Sequence, residues 1–307
     1  MNECVLKTKK LTKNFSKFCA LKEVSITLQT GKTYGLIGQN GAGKTTLMRI
    51  ITGLSFQTSG SIELFGHSEE KELSEELKRI GCLIEAPSMN GNMSAKENLK
   101  LHRIMRGIPN TLLDTQLLEL VGLKDIGKKM VKDFSLGMRQ RLGIAIALIG
   151  SPELLILDEP VNGLDPLGVV EIRNLIKKLC EERNITVLIS SHNLPELYQT
   201  ATDYIIIDKG VIKQTITLEK LEECCQHHIK IECKEPERLS EILESKLHTT
   251  KYKVMPDQSI VLYDFLEERE LVARTIIEGG IIPTRFSLEG ETLENYFITA
   301  IGGNRND

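Results

Sequence analysis

Up to about residue 216, the chain alternates short apolar runs with longer segments of helical periodicity. Continuous apolar runs of this length are typical of strands that helices cover on both faces of a sheet. The alternation therefore predicts an α/β domain. The predicted strands are residues 33–37, 80–84, 154–157, 186–189 and 204–207.

Three regions depart from this alternation. Residues 4–9 and 24–28 alternate apolar and polar positions, which predicts an antiparallel β edge. Between about 86 and 150 the strand signal lapses, and Ser94 with Glu97 forms a capping box that opens a helix, so this stretch is predicted to be a helical subdomain. After about 217 the composition shifts to Glu and Lys, which predicts a small α+β appendage. We expect two domains, residues 1–220 and residues 221–307.

Composition narrows the class of protein. Of the 307 residues, 41% are hydrophobic and 26% charged, which is typical of a globular protein with a sizeable core. The net charge of −3 argues against a broad nucleic-acid footprint, so no nucleic-acid partner is expected. No apolar stretch approaches the ~20 residues of a membrane span, and none at the N-terminus resembles a secretory signal. Seven cysteines without paired metal spacing predict reduced thiols of a cytoplasmic protein.

Residues 38–45 carry the clearest chemical signal. They read GQNGAGKT, which has the form G-x-x-x-x-G-K-[ST] of a phosphate-binding loop, between an apolar run and a helical segment. Glycines let successive N–H groups point inward, and the helix N-terminus adds positive charge at the same place. Lys44 is predicted to reach the β- and γ-phosphates of a nucleotide, and the Thr45 hydroxyl to ligate Mg²⁺.

Two acids, Asp158 and Glu159, end the apolar run at 154–157. Charges at the tip of a buried strand are costly unless something compensates them, although a strand end can also face solvent. A nucleotide-bound Mg²⁺ would provide compensation. We therefore predict that Asp158 holds the metal, through water, and that Glu159 polarises the attacking water as a general base.

Three further positions belong to the same pattern. His192 follows the run at 186–189, so it is expected at the edge where parallel strands present their carboxyl ends. Asp165 precedes Pro166, a pair that capping alone would explain. Ser135 opens a strongly apolar helix that carries Arg139 near the positive end of its dipole, which suggests either an anion nearby or a solvated basic face.

Taken in order, these motifs resemble the ATP-binding cassette of ABC transporters, a P-loop NTPase fold with a mixed sheet, over about residues 4–220. The resemblance implies that Lys44 and Thr45 belong to Walker A, Asp158 and Glu159 to Walker B, and His192 to the switch position. It also implies that ATP and Mg²⁺ are the cofactors. The implied nucleotide contacts are Phe15, Gly38, Asn40, Gly41, Ala42, Gly43, Lys44, Thr45, Thr46, Ser135, Gly137 and Asp165. Phe15 matches the family position whose aromatic ring stacks on adenine, and Phe18 is the alternative candidate for that role.

The working unit of this family is a head-to-tail pair of cassettes, in which ATP lies between the phosphate loop of one and the signature of the other. The resemblance therefore implies that this chain pairs with a copy of itself or with a related cassette. It also implies a membrane-spanning permease as partner. The protein is accordingly expected on the inner face of the cell membrane.

Two departures from the family pattern point to a narrower group. The signature around Ser135 and Gly137 reads FSLGM instead of LSGGQ, and Glu85 stands where a glutamine is usual. Glu85 is predicted to act near the metal and the γ-phosphate, either as an oxygen ligand or by repelling nucleotide when metal is absent. These departures resemble the ATPases of bacitracin- and lantibiotic-type peptide efflux and immunity transporters. The alternatives are a cassette of an importer or sensory complex and a soluble, non-transport ABC ATPase.

Overall fold

The structure, a computed structural model, describes residues 3–16, 18–85, 89–192, 194–290 and 292–301. In chain order, its strands are β1 (Cys4–Phe15), β2 (Phe18–Val24), β3 (Thr27–Gln29), β4 (Thr33–Ile37), β5 (Ser59–Leu64), β6 (Ile80–Leu83), β7 (Leu154–Leu157), β8 (Thr186–Ser191), β9 (Asp203–Asp208), β10 (Val211–Thr217), β11 (His228–Glu232), β12 (Tyr252–Val254), β13 (Ile260–Leu262) and β14 (Arg285–Glu289). Its helices are α1 (Lys44–Ile51), α2 (Glu70–Glu76), α3 (Ala95–Met105), α4 (Leu113–Leu120), α5 (Leu136–Ala147), α6 (Pro166–Arg183), α7 (Leu194–Tyr198), α8 (Leu218–Cys225), α9 (Pro236–Ser245), α10 (Arg269–Glu278) and α11 (Leu293–Ala300).

The five predicted strands form one sheet. Its order is β10-β9-β4-β8-β7-β6, with β10 antiparallel to β9 and the other neighbours parallel. Every residue of β4, β7, β8 and β9 is buried, which explains why these runs are apolar without alternation. The predicted mixed α/β fold is confirmed.

This topology decides where the chemistry lies. Strands β4, β8 and β7 are adjacent and parallel, so their carboxyl ends meet at one edge. The phosphate loop follows β4, the two acids follow β7, and His192 follows β8. Open α/β sheets bind ligands at this edge.

The early alternating segments pair antiparallel, in a sheet of their own. Strands β2 and β3 flank β1, and β5 also pairs with β1. The predicted segment 24–28 is divided between β2 and β3, because the hydroxyl of Thr8 bonds the intervening backbone: it donates to Val24 O (3.1 Å) and accepts from Ile26 N–H (3.0 Å). A hydrophobic core including Leu6, Leu36 and Met48 joins both sheets around α1.

Helices α3, α4 and α5 pack against one another in the predicted helical stretch. The capping box at α3 is present: Glu97 N–H donates to Ser94 Oγ (3.3 Å), and Ser94 N–H donates to Glu97 Oε2 (2.8 Å). That second hydrogen bond holds the pKa of Glu97 below its usual value. A buried ion pair between Arg103 and Asp114 (2.8 Å) joins α3 to α4. Residues 86–88, where the predicted subdomain begins, lie outside the described residues.

The chain divides into two compact units between Leu218 and Glu219, two residues before the predicted boundary. Elements β11, α9, β12, β13, α10 and β14 of the second unit form a split β-α-β arrangement. Their antiparallel sheet has the order β12-β13-β11-β14. Ile229 and Ile231 on β11 share a core with Leu239 on α9 and Val272 on α10, so this unit has a hydrophobic core of its own.

Across the residues that the structure describes, no helix is both long enough and apolar enough to span a bilayer.

Candidate nucleotide site

The phosphate loop depends on two glycines in a left-handed backbone conformation. Gly41 has φ +81° and Gly43 has φ +105°, values that side chains disfavour. A Cβ at Gly43 would lie 2.8 Å from the carbonyl oxygen of Ala20, so only glycine fits there. A Cβ at Gly41 would meet nothing within 4 Å, which leaves this part of the loop open to a ligand. Gly43 is also the N-cap of α1, so the positive end of the helix faces the loop.

Lys44 is a buried cation, with a side chain only 5% exposed. Its Nζ donates to Gly38 O (2.7 Å) and lies 3.2 Å from Oε1 of Glu159. A buried ammonium requires compensating partners. In this structure a carboxylate and two loop carbonyls, of Gly38 and Gln39, provide them.

Thr45 and Asp158 are brought together across the edge of the sheet. Thr45 Oγ1 donates to Asp158 Oδ2 at 2.7 Å. The other carboxylate oxygen, Oδ1, accepts from the hydroxyl of Ser190 at 2.5 Å. The site thus holds an alcohol and a carboxylate side by side, and both can ligate a metal ion through oxygen.

Glu159 bonds three side chains around the same edge. Besides Lys44, its Oε2 lies 3.0 Å from Nδ1 of His192 and accepts from the amide of Asn162 at 3.2 Å. With its proton on Nδ1, His192 donates to Glu159. The backbone of Glu159 has φ +46°, a strained value for a residue with a side chain.

Glu85 lies at the end of the neighbouring strand β6 and also has a positive φ, +62°. Its carboxylate pairs with the guanidinium of Arg49 at 2.5 Å. Arg49 lies four residues after Thr45 on α1, hence on the same side of the helix. Glu85, Thr45, Asp158 and Glu159 line one cavity of about 570 Å³.

The two candidate aromatic residues occupy different positions. Phe18 lines a cavity of about 230 Å³ together with Ala20 and the phosphate loop. Phe15 does not line it; its half-exposed ring carries the Lys13 ammonium 4.8 Å from the centroid. Phe15 and Phe18 therefore both stay candidates for the adenine contact.

Three predicted site residues lie at the starts of helices and do not line the cavity of the phosphate loop. Ser135 Oγ accepts from Met138 N–H (3.2 Å) and caps α5, and Asp165 accepts from Gly168 N–H (3.1 Å) and caps α6. Gly137 lies in the first turn of α5, where an added Cβ would approach Leu164 no closer than 3.8 Å. These hydrogen bonds of Ser135 and Asp165 are those of helix caps.

Sequence reasoning missed three residues of this network: Arg49, Asn162 and Ser190. Each had a weak signal. Arg49 follows Thr45 by one helical turn, Asn162 follows Glu159 by three residues, and Ser190 is the first of two serines that end the buried strand β8. Only the contacts distinguish these positions from ordinary surface or turn residues.

The donor set fits a magnesium-bound nucleotide. Mg²⁺ is usually held by one or two carboxylates together with phosphate oxygens and water, and Asp158 with Thr45 supplies that kind of set. The buried ammonium of Lys44 and the open loop at Gly41 fit a polyphosphate.

Comparison with known proteins agrees with this geometry. The family model "ABC transporter" matches residues 21–162. The bacitracin transport ATP-binding protein BcrA of Bacillus licheniformis is 39% identical, over 97% of this chain and 98% of that protein. The lantibiotic transport ATP-binding protein SrtF of Streptococcus pyogenes is 45% identical, over 74% of this chain and 99% of its own length.

A solved structure of an ATP-binding cassette, a dimer in a post-hydrolysis state bound to ADP and phosphate, matches with a TM-score of 0.62 and 25% identity, over 69% of this chain and 98% of that one. The chain belongs to the ATP-binding proteins of the ABC transporter family. It is an ATP-hydrolysing, nucleotide-binding subunit.

The first prediction concerns the adenine contact. Stacking of a base on an aromatic ring contributes ~1–3 kcal/mol, so we expect Phe15→Leu to weaken ATP binding by about 5- to 150-fold. The measurement is ATP affinity by calorimetry. Tripolyphosphate, which has no base, serves as the control ligand and should bind the variant and the wild type equally.

Phe18→Leu is the matched comparison, since it removes a ring of the same size from the same hairpin. Loss of ATP affinity in the Phe18 variant, with the Phe15 variant unaffected, would reassign the contact to Phe18.

Proposed function

We propose that this chain energises a membrane permease that exports a peptide antibiotic of bacitracin or lantibiotic type, or confers immunity to it. The observation that carries the proposal is the match to a bacitracin transport ATP-binding protein over nearly the full length of both chains. The match therefore includes the second unit as well as the cassette. Glu85 and the altered signature at Ser135–Met138 add support, because both departures suggested this group.

The contacts support a role for each residue at the edge of the sheet. Lys44 and the N–H groups of the loop bind the phosphates, and Thr45 and Asp158 hold Mg²⁺. The bound metal would neutralise charge on the phosphate oxygens. Glu159 accepts the proton of the attacking water, and His192 orients its carboxylate through Oε2.

The pair between Lys44 and Glu159 suggests how binding prepares catalysis. The ammonium of Lys44 and Oε1 of Glu159 lie 3.2 Å apart. A bound phosphate competes with the carboxylate for the same ammonium. Nucleotide binding then frees Oε1 to act on water, while His192 and Asn162 keep hold of Oε2.

The proposed working unit is a head-to-tail dimer, formed with a second copy or a related cassette. In it, Ser135, Gly137 and Asp165 contact nucleotide held by the partner. Two solved cassettes of similar fold are dimers, which supports pairing. A membrane-spanning permease is the second proposed partner, which would place the protein on the inner face of the membrane.

The general base is tested with Glu159→Gln. The amide cannot take a proton from water, so we expect ATP hydrolysis to fall by about 10²- to 10⁴-fold while ATP binding persists. Light scattering should show a dimer in ATP and Mg²⁺ that reverts to monomer when nucleotide is removed. Hydrolysis at the wild-type rate would refute the assignment of Glu159.

Glu85 is tested with Glu85→Gln, which restores the usual family residue. The exposed pair with Arg49 contributes only ~0.2–1 kcal/mol to stability, so we expect the variant to fold and to keep some ATPase activity. Peptide resistance should nevertheless fall, because the charge near the metal is lost. Wild-type resistance in this variant would show that the glutamate has no special part in coupling.

The function itself is tested by growth. Cells that express this chain together with a candidate polytopic permease are exposed to bacitracin or to a lantibiotic. We expect survival at peptide concentrations that stop cells carrying the Glu159→Gln variant. Equal sensitivity of both strains to both peptides would refute the proposed substrate class.

A further inference from the structure

Ser190 belongs to none of the predicted motifs. It nevertheless lies at the edge of the sheet where the carboxyl ends of β4, β8 and β7 meet. It is the fifth residue of β8, the strand between β4 and β7, and its side chain has no exposed surface. Its neighbour in register on β4 is Leu36, two residues before the phosphate loop. The preceding residue, Ile189, pairs with Leu157, the last residue before Asp158. The hydroxyl is therefore held between the loop and the two acids.

The hydroxyl of Ser190 bonds to both acidic residues at once. It donates to Oδ1 of Asp158 at 2.5 Å and accepts from the backbone N–H of Glu159 at 2.8 Å. A serine hydroxyl has one proton to donate. Here that proton is used on Asp158, so Oδ2 of the same carboxylate remains for Thr45, at 2.7 Å.

The second bond acts on a strained residue. Glu159 has φ +46°, in the left-handed region that costs a residue with a side chain ~1–3 kcal/mol. Such a conformation persists only where surrounding contacts determine it. The bond from Glu159 N–H to Ser190 is a contact of that kind. It aims the Glu159 side chain at Lys44 and His192.

The geometry points to Ser190 as a positioning residue that sets both carboxylates with a single hydroxyl: Oδ2 of Asp158 toward the metal position beside Thr45, and the side chain of Glu159 toward the attacking water. The inference rests on the roles proposed above for Asp158 and Glu159. The hydroxyl of Ser190 contacts Asp158 and the backbone of Glu159. It acts through the two acids.

A purely structural role is the competing explanation. Removing a buried hydroxyl leaves its hydrogen-bond partners unsatisfied, and this alone lowers the stability of the protein. Thr186 provides a matched control. It lies on the same strand, four residues earlier and thus on the same face, and it is equally buried. Its hydroxyl also bonds backbone, accepting from Gly31 N–H at 3.0 Å, but at the opposite end of the strand from the acids.

The experiment compares Ser190→Ala with Thr186→Val in the full-length chain. Removing a group that orients a metal ligand commonly costs 10- to 100-fold in metal affinity or activity. We expect Ser190→Ala to lower kcat, measured at saturating ATP and Mg²⁺, by about 10- to 100-fold. We expect Thr186→Val to lower thermal stability and leave kcat unchanged.

A binding measurement separates positioning from general damage. ADP affinity is measured by calorimetry, once with EDTA and once with Mg²⁺. The gain in affinity on adding Mg²⁺ should shrink at least threefold in Ser190→Ala, while the affinity in EDTA and the gain in Thr186→Val stay at wild-type values. Ser190→Cys keeps a weak donor of similar size and should lie between Ser190→Ala and wild type. It replaces Ser190→Ala if that variant does not fold.

The inference is overturned if the Ser190 variants lose stability as Thr186→Val does but keep the wild-type kcat and the wild-type gain in ADP affinity on adding Mg²⁺. That result, together with an inactive Glu159→Gln, would reject the role of Ser190 and leave the proposed catalysis standing. If Glu159→Gln is also fully active, the proposed roles of the two acids fail instead.

Discussion

The buried ammonium of Lys44 requires nearby negative charge. This requirement explains the contacts at the edge where the carboxyl ends of β4, β8 and β7 meet. Lys44 is almost completely enclosed, and the structure compensates it with Glu159 and with loop carbonyls. A polyphosphate supplies the same compensation with more charge. In the proposed function, the ammonium of Lys44 thus attracts both the carboxylate of Glu159 and the phosphates of the nucleotide. The parallel strands make this possible, because they bring residues more than a hundred positions apart to within hydrogen-bond distance, as with Thr45 and Asp158.

The acids at this edge are held in unusual backbone conformations. Glu85 after β6 and Glu159 after β7 both have positive φ values. Each is anchored through a contact that reaches a different element: Glu85 through Arg49 on α1, and Glu159 through Ser190 on β8. A left-handed conformation persists where surrounding contacts determine it, and these two contacts are of that kind.

The two relatives match different shares of this chain. The lantibiotic transport ATP-binding protein is matched over almost all of its own length yet covers 74% of this chain, whereas the bacitracin transport protein covers 97%. The match to the longer relative therefore includes the second unit. That unit has its own core and its own four-stranded sheet, so it adds a separate fold to the cassette.

The sequence by itself determined the class of fold, the phosphate loop and the order of the motifs. Buried parallel strands require continuous apolar runs, and glycines in a phosphate loop leave a local pattern that reads without a structure. It also determined the caps at Ser94, Ser135 and Asp165, whose partners lie three residues away. Helix caps are local interactions, so spacing alone identifies them.

Only the tertiary structure decided what lies between the motifs. The pairing of Glu85 with Arg49, the bridge of Ser190 to two acids, and the separate sheet formed by β1, β2, β3 and β5 all join residues distant in sequence. Arg49 and Ser190 are ordinary residues in their local context. A polar side chain acquires a role from the partners that folding brings to it, and those partners are set by strand order and register, which a single sequence does not display.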